Sequence, residues 1–169
     1  MNTLNLSSVI PDFRSSGTPA GPIQYAIGNC VIGKLLVARS AQGICAIFPG
    51  DDAQALRAQL MQAFPATTLE QADHALQPEL AQIAVFIAAP ARGLDMTLDV
   101  HGTPFQQRVW QALCEIPAGE TASYADVARR IGAPGAVRAV GSACAANVLA
   151  VAIPCHRVVR ANGLISGYR

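Results

Sequence analysis

Nowhere does an uninterrupted apolar stretch reach the roughly 20 residues that a membrane helix requires, although 51% of the 169 residues are hydrophobic. The N-terminus has neither the basic nor the apolar region of a secretory signal peptide. The expectation is a soluble, cytoplasmic protein with no membrane partner. The five cysteines (Cys30, Cys45, Cys114, Cys144 and Cys155) are an odd number and contain no C-x-x-C pair. That spacing argues against a disulfide framework and against a structural zinc site, so no metal and no cofactor are expected. In a reducing compartment most of these thiols serve as small buried hydrophobes. Internal repeats are missing too, as is a glycine-rich phosphate loop.

Net charge is only +1, which by itself points to no nucleic-acid partner. The charge is unevenly placed, however. Residues 1–100 carry five basic and eight acidic side chains, and residues 101–169 carry seven basic and three acidic ones. A net +4 in the second part permits phosphate binding without demanding it. The length suits one ordinary domain or two small ones with a real core.

Residues 1–21 end in a stretch rich in Ser, Gly, Pro and Thr with no sustained period, and are expected to be a linker or tail. "IQYAIGNCVIGKLLVARSAQGICAIFPG" gives three short β-type runs broken at Gly-Asn and Gln-Gly, as in successive antiparallel strands. "DDAQALRAQLMQAF" opens with capping aspartates and spaces Ala55, Leu56, Leu60 and Phe64 as a helix face. A second helical pattern covers about 78–88, and "DMTLDV" returns to the sheet. Residues 22–100 are thus expected to form a small α/β unit with a three-stranded antiparallel sheet, a scaffold for the second half of the chain.

From residue 101 the pattern is mostly helical. Thr103, Pro104 and Gln106 make a capping box with proline at the first helical position, and Phe105, Val109, Ala112, Leu113 and Ile116 share one face. Ser123 and Asp126 make a second capping box, Gly132 is a natural stop, and Pro134 is expected to restart a helix. Two helices joined by so short a turn are a helix-turn-helix signature. A major-groove reader needs Arg, Asn, Gln or Lys at several positions of its second helix. Here that helix offers Gly135, Ala136, Ala139, Gly141, Ser142, Ala143, Cys144, Ala145 and Ala146, with Arg138 the one long polar side chain. Either it approaches DNA closely and reads shape in the minor groove, or its small residues serve tight helix-helix packing, with Arg138 merely solvated. Tyr124 opens the first helix of the pair and is equally compatible with a half-buried aromatic.

In "AIPCHRVV" a thiol and an imidazole stand together after a proline. Pro154 stops the preceding apolar run from continuing as helix or central strand, so Cys155 begins a fixed bend. His156 and the charge of Arg157 would favour the thiolate, the nucleophilic form. The pair suits alkyl or acyl transfer to sulfur, but a Cys-His pair alone is equally compatible with no function.

Taken together, "GTPFQQRVWQAL", "ASYADVARRIGAPGAVRAVGSACAAN", "IPCHRVV" and "GLISGYR" resemble the O6-alkylguanine-DNA alkyltransferases, from about residue 23 to the end. "GICAIFPGDDAQAL" and "SACAAN" look closest to the alkyltransferase half of bifunctional bacterial members. The resemblance implies an α+β protein: an RNase H-like N-terminal unit at 22–100, then a winged-helix-like helix-turn-helix domain at 101–169 carrying the active-site Cys. It implies direct-reversal DNA repair, an irreversible single transfer of the alkyl group from O6-methylguanine, also O4-methylthymine, in flipped-out duplex DNA to Cys155. His156 would act through a water as base, with Pro154 and Arg157 shaping the site. Arg138 would fill the gap left by the flipped base, and Ala136, Ala139, Gly141 and Ser142 would meet the minor groove. Tyr124, Val158 and Ser166 would contact the base, and Asn147 would tie the turn after the recognition helix to the active-site segment. A monomer is implied.

The family also has a glutamate beyond the P-C-H-R motif that orients the histidine. Fourteen residues come after Cys155 here and none of them supplies it, so a chain truncated at its C-terminus is expected, and the alternative to transfer is a weakly active or noncatalytic lesion-binding module, against which the presence of the acceptor cysteine weighs. The zinc-cysteine methylphosphotriester domain of the bifunctional members has no counterpart in the sequence either. A Cys-His hydrolase would need a third orienting residue and an oxyanion site.

Overall fold

The computed structural model describes residues 12–14, 19 and 21–160, of which 12–14 are described as backbone. Among the described residues eight strands and five helices run in order: β1 Asp12–Arg14, β2 Ile23–Cys30, β3 Gly33–Arg39, β4 Ile44–Gly50, α1 Ala53–Ala63, β5 Leu69–Gln71, α2 Gln77–Ala88, β6 Thr97–Asp99, α3 Pro104–Cys114, β7 Ala122–Ser123, α4 Tyr124–Arg130, α5 Val137–Ala145 and β8 Val158–Val159. A 3-10 turn at Cys155–Arg157 precedes β8. No helix among the described residues is long and apolar enough to cross a membrane.

The three runs read between residues 23 and 50 form an antiparallel meander, but the sheet is mixed rather than antiparallel. Its strand order is β1-β6-β4-β3-β2-β5. Each of α1 and α2 carries the chain back over the sheet, so β5 lies parallel to β2 and β6 parallel to β4. Such crossovers are what parallel neighbours require. Asp12–Arg14 then adds in parallel to β6. Strands of three residues are too short to display alternation, which is why β5 escaped the pattern.

The first hairpin also turns later than the Gly-Asn break suggested. β2 runs through Gly28 and Asn29 to Cys30, and the turn is Val31-Ile32, exposed at 72% and 53%. Gly33, at φ +123°, closes it, with Gly50 O only 2.9 Å from where a Cβ would sit. That conformation is open to glycine and costly for others.

Alternating strand residues serve two cores. Leu36, Ala38 and Ala46 face α1 residues Leu56 and Leu60 with Phe64, whereas Leu35, Val37 and Ile47 face the other way, onto Ile83 of α2 and the helices of the second half. Ala55, placed on the α1 face by spacing, is exposed. Asp52 caps α1, accepting from Ala55 N at 2.7 Å. The α3 capping box forms as expected, Thr103 N donating to Gln106 Oε1 at 2.8 Å and Gln106 N to Thr103 Oγ1 at 3.2 Å. So does that of α4, between Ser123 and Asp126.

One continuous core joins the two halves: Val109, Trp110 and Leu113 of α3, Val140 of α5 and Cys155 share it with the sheet. Each such fully buried large side chain stabilises the fold by about 1.5–3 kcal/mol. Trp110, missed by the helical-face reading, is the main link, for its indole Nε1 donates to Ala143 O at 2.9 Å. That carbonyl lies in the last turn of α5 and lacks an intrahelical partner. Gly102 must be glycine because a Cβ there would lie 2.5 Å from the Trp110 ring. Beyond its short pairing with β6, β4 reaches the second half directly, Ile47 N donating to Val148 O and Ala150 N to Ile47 O at 2.8 and 3.1 Å.

Candidate active site

Gly132 ends α4 at φ +72° as expected, but α5 starts at Val137 rather than at Pro134. Residues 133–136 form a turn closed by Ala136 N donating to Ala133 O at 2.9 Å. Ala136 is therefore the residue before the helix, and Gly135 is off it. Val140 and Ala143 bury one face of α5, while Arg138, Ala139, Ser142, Ala145 and Ala146 are exposed. A Cβ added at Gly135 would meet nothing within 4 Å, and one at Gly141 would touch the Tyr124 ring at an ordinary 3.9 Å. Among the described residues, then, close packing does not explain the small residues of the exposed face.

After α5 the chain makes a bend fixed by one side chain. Asn147 Oδ1 accepts from Leu149 N at 2.9 Å, while Nδ2 donates to Ile153 O and to Cys155 Sγ, both at 3.0 Å. Within this loop Val151 sits at φ +62°, a strained conformation for a β-branched residue. Cys155 opens the 3-10 turn with its N–H on Ile153 O at 2.8 Å and is only 5% exposed. Beyond it, β8 pairs in parallel with β7, Ala122 opposite Val158 and Ser123 opposite Val159. That ladder sets the start of α4, and so Tyr124, beside the acceptor turn and Val158. Asn147 and Cys155 are brought into contact, Val158 follows the acceptor turn opposite Ala122 with Tyr124 opening α4 just beyond that pair, Arg138 and Ser142 stand on the exposed helix face, and Ser166 lies outside the described residues.

The electrostatics differ from the sequence reading. Arg157 does not serve the Cys155 thiolate: its guanidinium donates to Ile116 O at 2.6 Å and pins the turn to the end of α3. It acts on Cys114 and His156 instead. The Cys144 thiol is the largest influence on Cys155, and with burial it pushes the Cys155 thiol well above its ordinary range, with Asn147 opposing. Cys144, grouped in the sequence with the thiols that serve as small hydrophobes, thus acts electrostatically on the acceptor. No spacing rule linked positions 144 and 155; only the tie made by Asn147 could have hinted at it. Desolvation, then the Arg157 charge, lowers the His156 pKa, so the exposed imidazole is neutral at pH 7. Among the described residues nothing hydrogen-bonds to it. Nor does any trio of His, Cys, Asp or Glu among them form a metal site.

Chemically, this is a buried thiol with one amide donor, a neutral base next in sequence, and a basic, smooth helix face nearby. Comparison with known proteins agrees. Residues 104–169 match the family described as 6-O-methylguanine DNA methyltransferase, DNA binding domain. The chain is 50% identical to the regulatory protein ada of Salmonella typhimurium over 164 residues, 97% of this chain and 46% of that one. It is 48% identical to the bifunctional transcriptional activator/DNA repair enzyme Ada of Escherichia coli, with the same coverage. The fold matches that of Mycobacterium tuberculosis OGT in complex with DNA, with a TM-score of 0.71 and 36% identity over 86% of this chain and 83% of that one. The chain spans about half the length of the curated relatives it matches. Sequence, fold and the residues around Cys155 place the chain in the O6-methylguanine-DNA methyltransferase family.

Proposed function

We propose that the protein repairs DNA by direct reversal, taking the alkyl group of O6-methylguanine, and of O4-methylthymine, onto Cys155 in a single irreversible turnover. One observation carries this reading: the buried sulfur of Cys155 is aimed by Asn147 and backed by a neutral His156. The thiol gives up its proton through a water to His156, the sulfur attacks the alkyl carbon, and the bond from that carbon to O6 breaks. The electron pair returns to the base, which takes a proton at N1, so the net transfer is one proton from thiol to guanine. No cofactor enters, and the thioether formed is stable, which consumes the protein.

The base must leave the duplex to reach a buried sulfur, at a cost of a few kcal/mol that is least for a damaged base. Exposed Ala139 and Ser142, with Ala136 and Gly141 at the margin, let α5 press into the minor groove, and Arg138 fills the vacated stack. Tyr124 crowds the target nucleotide, and Val158 and Ser166 recognise the base. The protein acts as a cytoplasmic monomer. An RNase H-like assignment for residues 22–100 is supported by the meander with β5 added parallel to β2, and a winged-helix-like assignment for 101–169 by α3, α4, α5 and the β7-β8 pair.

A lesion-binding role without transfer is the second reading, favoured by the lack of any partner for His156 among the described residues. Methyl removal from O6-methylguanine by the parent chain separates them, and Cys155→Ser tests which residue accepts the group. Under the first reading the variant binds duplex DNA but removes no methyl group from O6-methylguanine; continued removal by the variant excludes Cys155 as acceptor.

A further inference from the structure

Val151 is, among the described residues, the one non-glycine at positive φ, +62°. Its neighbours close a three-residue turn over it, Ala152 N donating to Ala150 O at 2.7 Å. A γ-turn with positive φ at its centre is the rare, strained form, and a side chain branched at Cβ suits it least. Such strain persists only where the surroundings over-determine it. Here both flanks are fixed. On one side the fully buried Ile47 of β4 donates its N–H to Val148 O at 2.8 Å and accepts from Ala150 N at 3.1 Å. On the other, Ile153 N donates to Leu149 O at 2.9 Å, and Ala152 O accepts from Cys114 Sγ, at the end of α3, at 3.8 Å. The Val151 side chain is half-buried and packs against the core.

The turn matters to the site because it changes the direction of the chain. Leu149 bridges Ile47 in parallel, and a strand continued past Ala150 would carry the chain along β4, away from Asn147. The turn at Val151 ends that pairing and folds Ile153 back onto Leu149. Ile153 O can then accept from Asn147 Nδ2 at 3.0 Å and from Cys155 N at 2.8 Å, and the same amide reaches Cys155 Sγ at 3.0 Å.

Building on the reading of Cys155 as alkyl acceptor, we propose that Val151 is a positioning residue whose strained turn sets the Cys155 sulfur in its place against Asn147.

Glycine would adopt this φ without strain, so the turn alone does not call for valine. Valine adds an anchor: its methyl groups pack on the core, and its stiff side chain leaves the turn one arrangement where glycine leaves several. A reacting atom misplaced by about 1 Å can lose about a hundredfold in rate.

Methyl transfer from a duplex oligonucleotide carrying O6-methylguanine is timed over a range of duplex concentrations for the full parent chain, Val151→Gly and Val151→Ile. For Val151→Gly the rate at saturating duplex falls by about tenfold or more, while the duplex concentration at half-maximal rate is unchanged. Val151→Ile, which keeps the branch and the anchor, retains the parent rate. An unchanged saturated rate for Val151→Gly overturns the proposal, and so does a loss that shows only as weaker binding of the duplex. If the glycine variant fails to fold, Val151→Ala, which removes the anchoring methyl groups and keeps Cβ, is read against the same outcomes. Amide exchange of Ala152 and Ile153, followed by NMR, judges the turn apart from the chemistry: it quickens in Val151→Gly, and unchanged exchange overturns the proposal. Absence of transfer by the parent chain would refute the proposed function, while amide exchange would still judge Val151.

Discussion

Replacing Asn147 with alanine removes the three hydrogen bonds that hold the loop between α5 and the acceptor: from Leu149 N to Oδ1, and from Nδ2 to Ile153 O and to Cys155 Sγ. Ile153 O keeps the bond from Cys155 N, so its loss is one ordinary bond of about 1 kcal/mol. Leu149 is 2% exposed, and its N–H loses its acceptor, which costs about 1–3 kcal/mol. The sum is about 3 kcal/mol, which for a chain of this size lowers Tm by roughly 6–12 °C. Thermal unfolding followed by circular dichroism measures it. Alkylation of Cys155 should slow as well, because the donor that favours its thiolate is gone. Asn147→Asp keeps an acceptor for Leu149 but turns an anion toward the sulfur, so it should lose less stability and more reactivity than Asn147→Ala. A Tm within about 2 °C of the parent for the alanine variant would refute the claim that this side chain builds the loop.

Asp99 is fully buried and accepts from Ser40 Oγ at 2.5 Å and from His101 at 2.9 Å; Asp99→Ala removes both bonds and should cost about 1–3 kcal/mol by urea unfolding. Gly102→Ala drives a Cβ into the Trp110 ring, for a loss of about 1–3 kcal/mol. Because the sequence has one tryptophan, the strain should also change the intrinsic fluorescence. Burial raises Cys45 and Cys114 from 9.0 to about 12. The unfolded chain releases these protons near pH 9 and the folded one near pH 12, so their stabilising contribution is complete below pH 9 and falls away between the two. The urea midpoint should drop over that window, and Cys45→Ala with Cys114→Ala should flatten the drop. Arg138→Ala should impair repair of duplex DNA far more than reaction with free O6-benzylguanine, since only the duplex needs its gap filled; equal losses would remove that role.

Local chemistry made much of this legible. Both capping boxes were readable because a cap is settled within four residues, and Gly132 as a stop for the same reason. Long-range choices were not. β5 is too short to show a period, and although "DMTLDV" was legible as a return to the sheet, nothing local announced that β5 and β6 would add in parallel. The start of α5 depended on a tertiary turn at 133–136 that Pro134 alone did not announce. At the site, Cys155 and Asn147 stood out through the family resemblance. Arg157 did not behave as its adjacency to the thiol implied, because the 3-10 turn directs its guanidinium to Ile116 O. Cys144 was invisible, since its position against Cys155 is made by the folding of the loop and not by spacing along the chain.

The central claim, that Cys155 is the alkyl acceptor, is tested most directly by mass. The chain is incubated with a duplex oligonucleotide carrying O6-methylguanine, and the intact protein is weighed and then mapped by peptides. One added methylene on the peptide containing Cys155, with a matching loss of the lesion, is the predicted result. No gain in mass while the duplex is bound, or a gain on another cysteine, would contradict it.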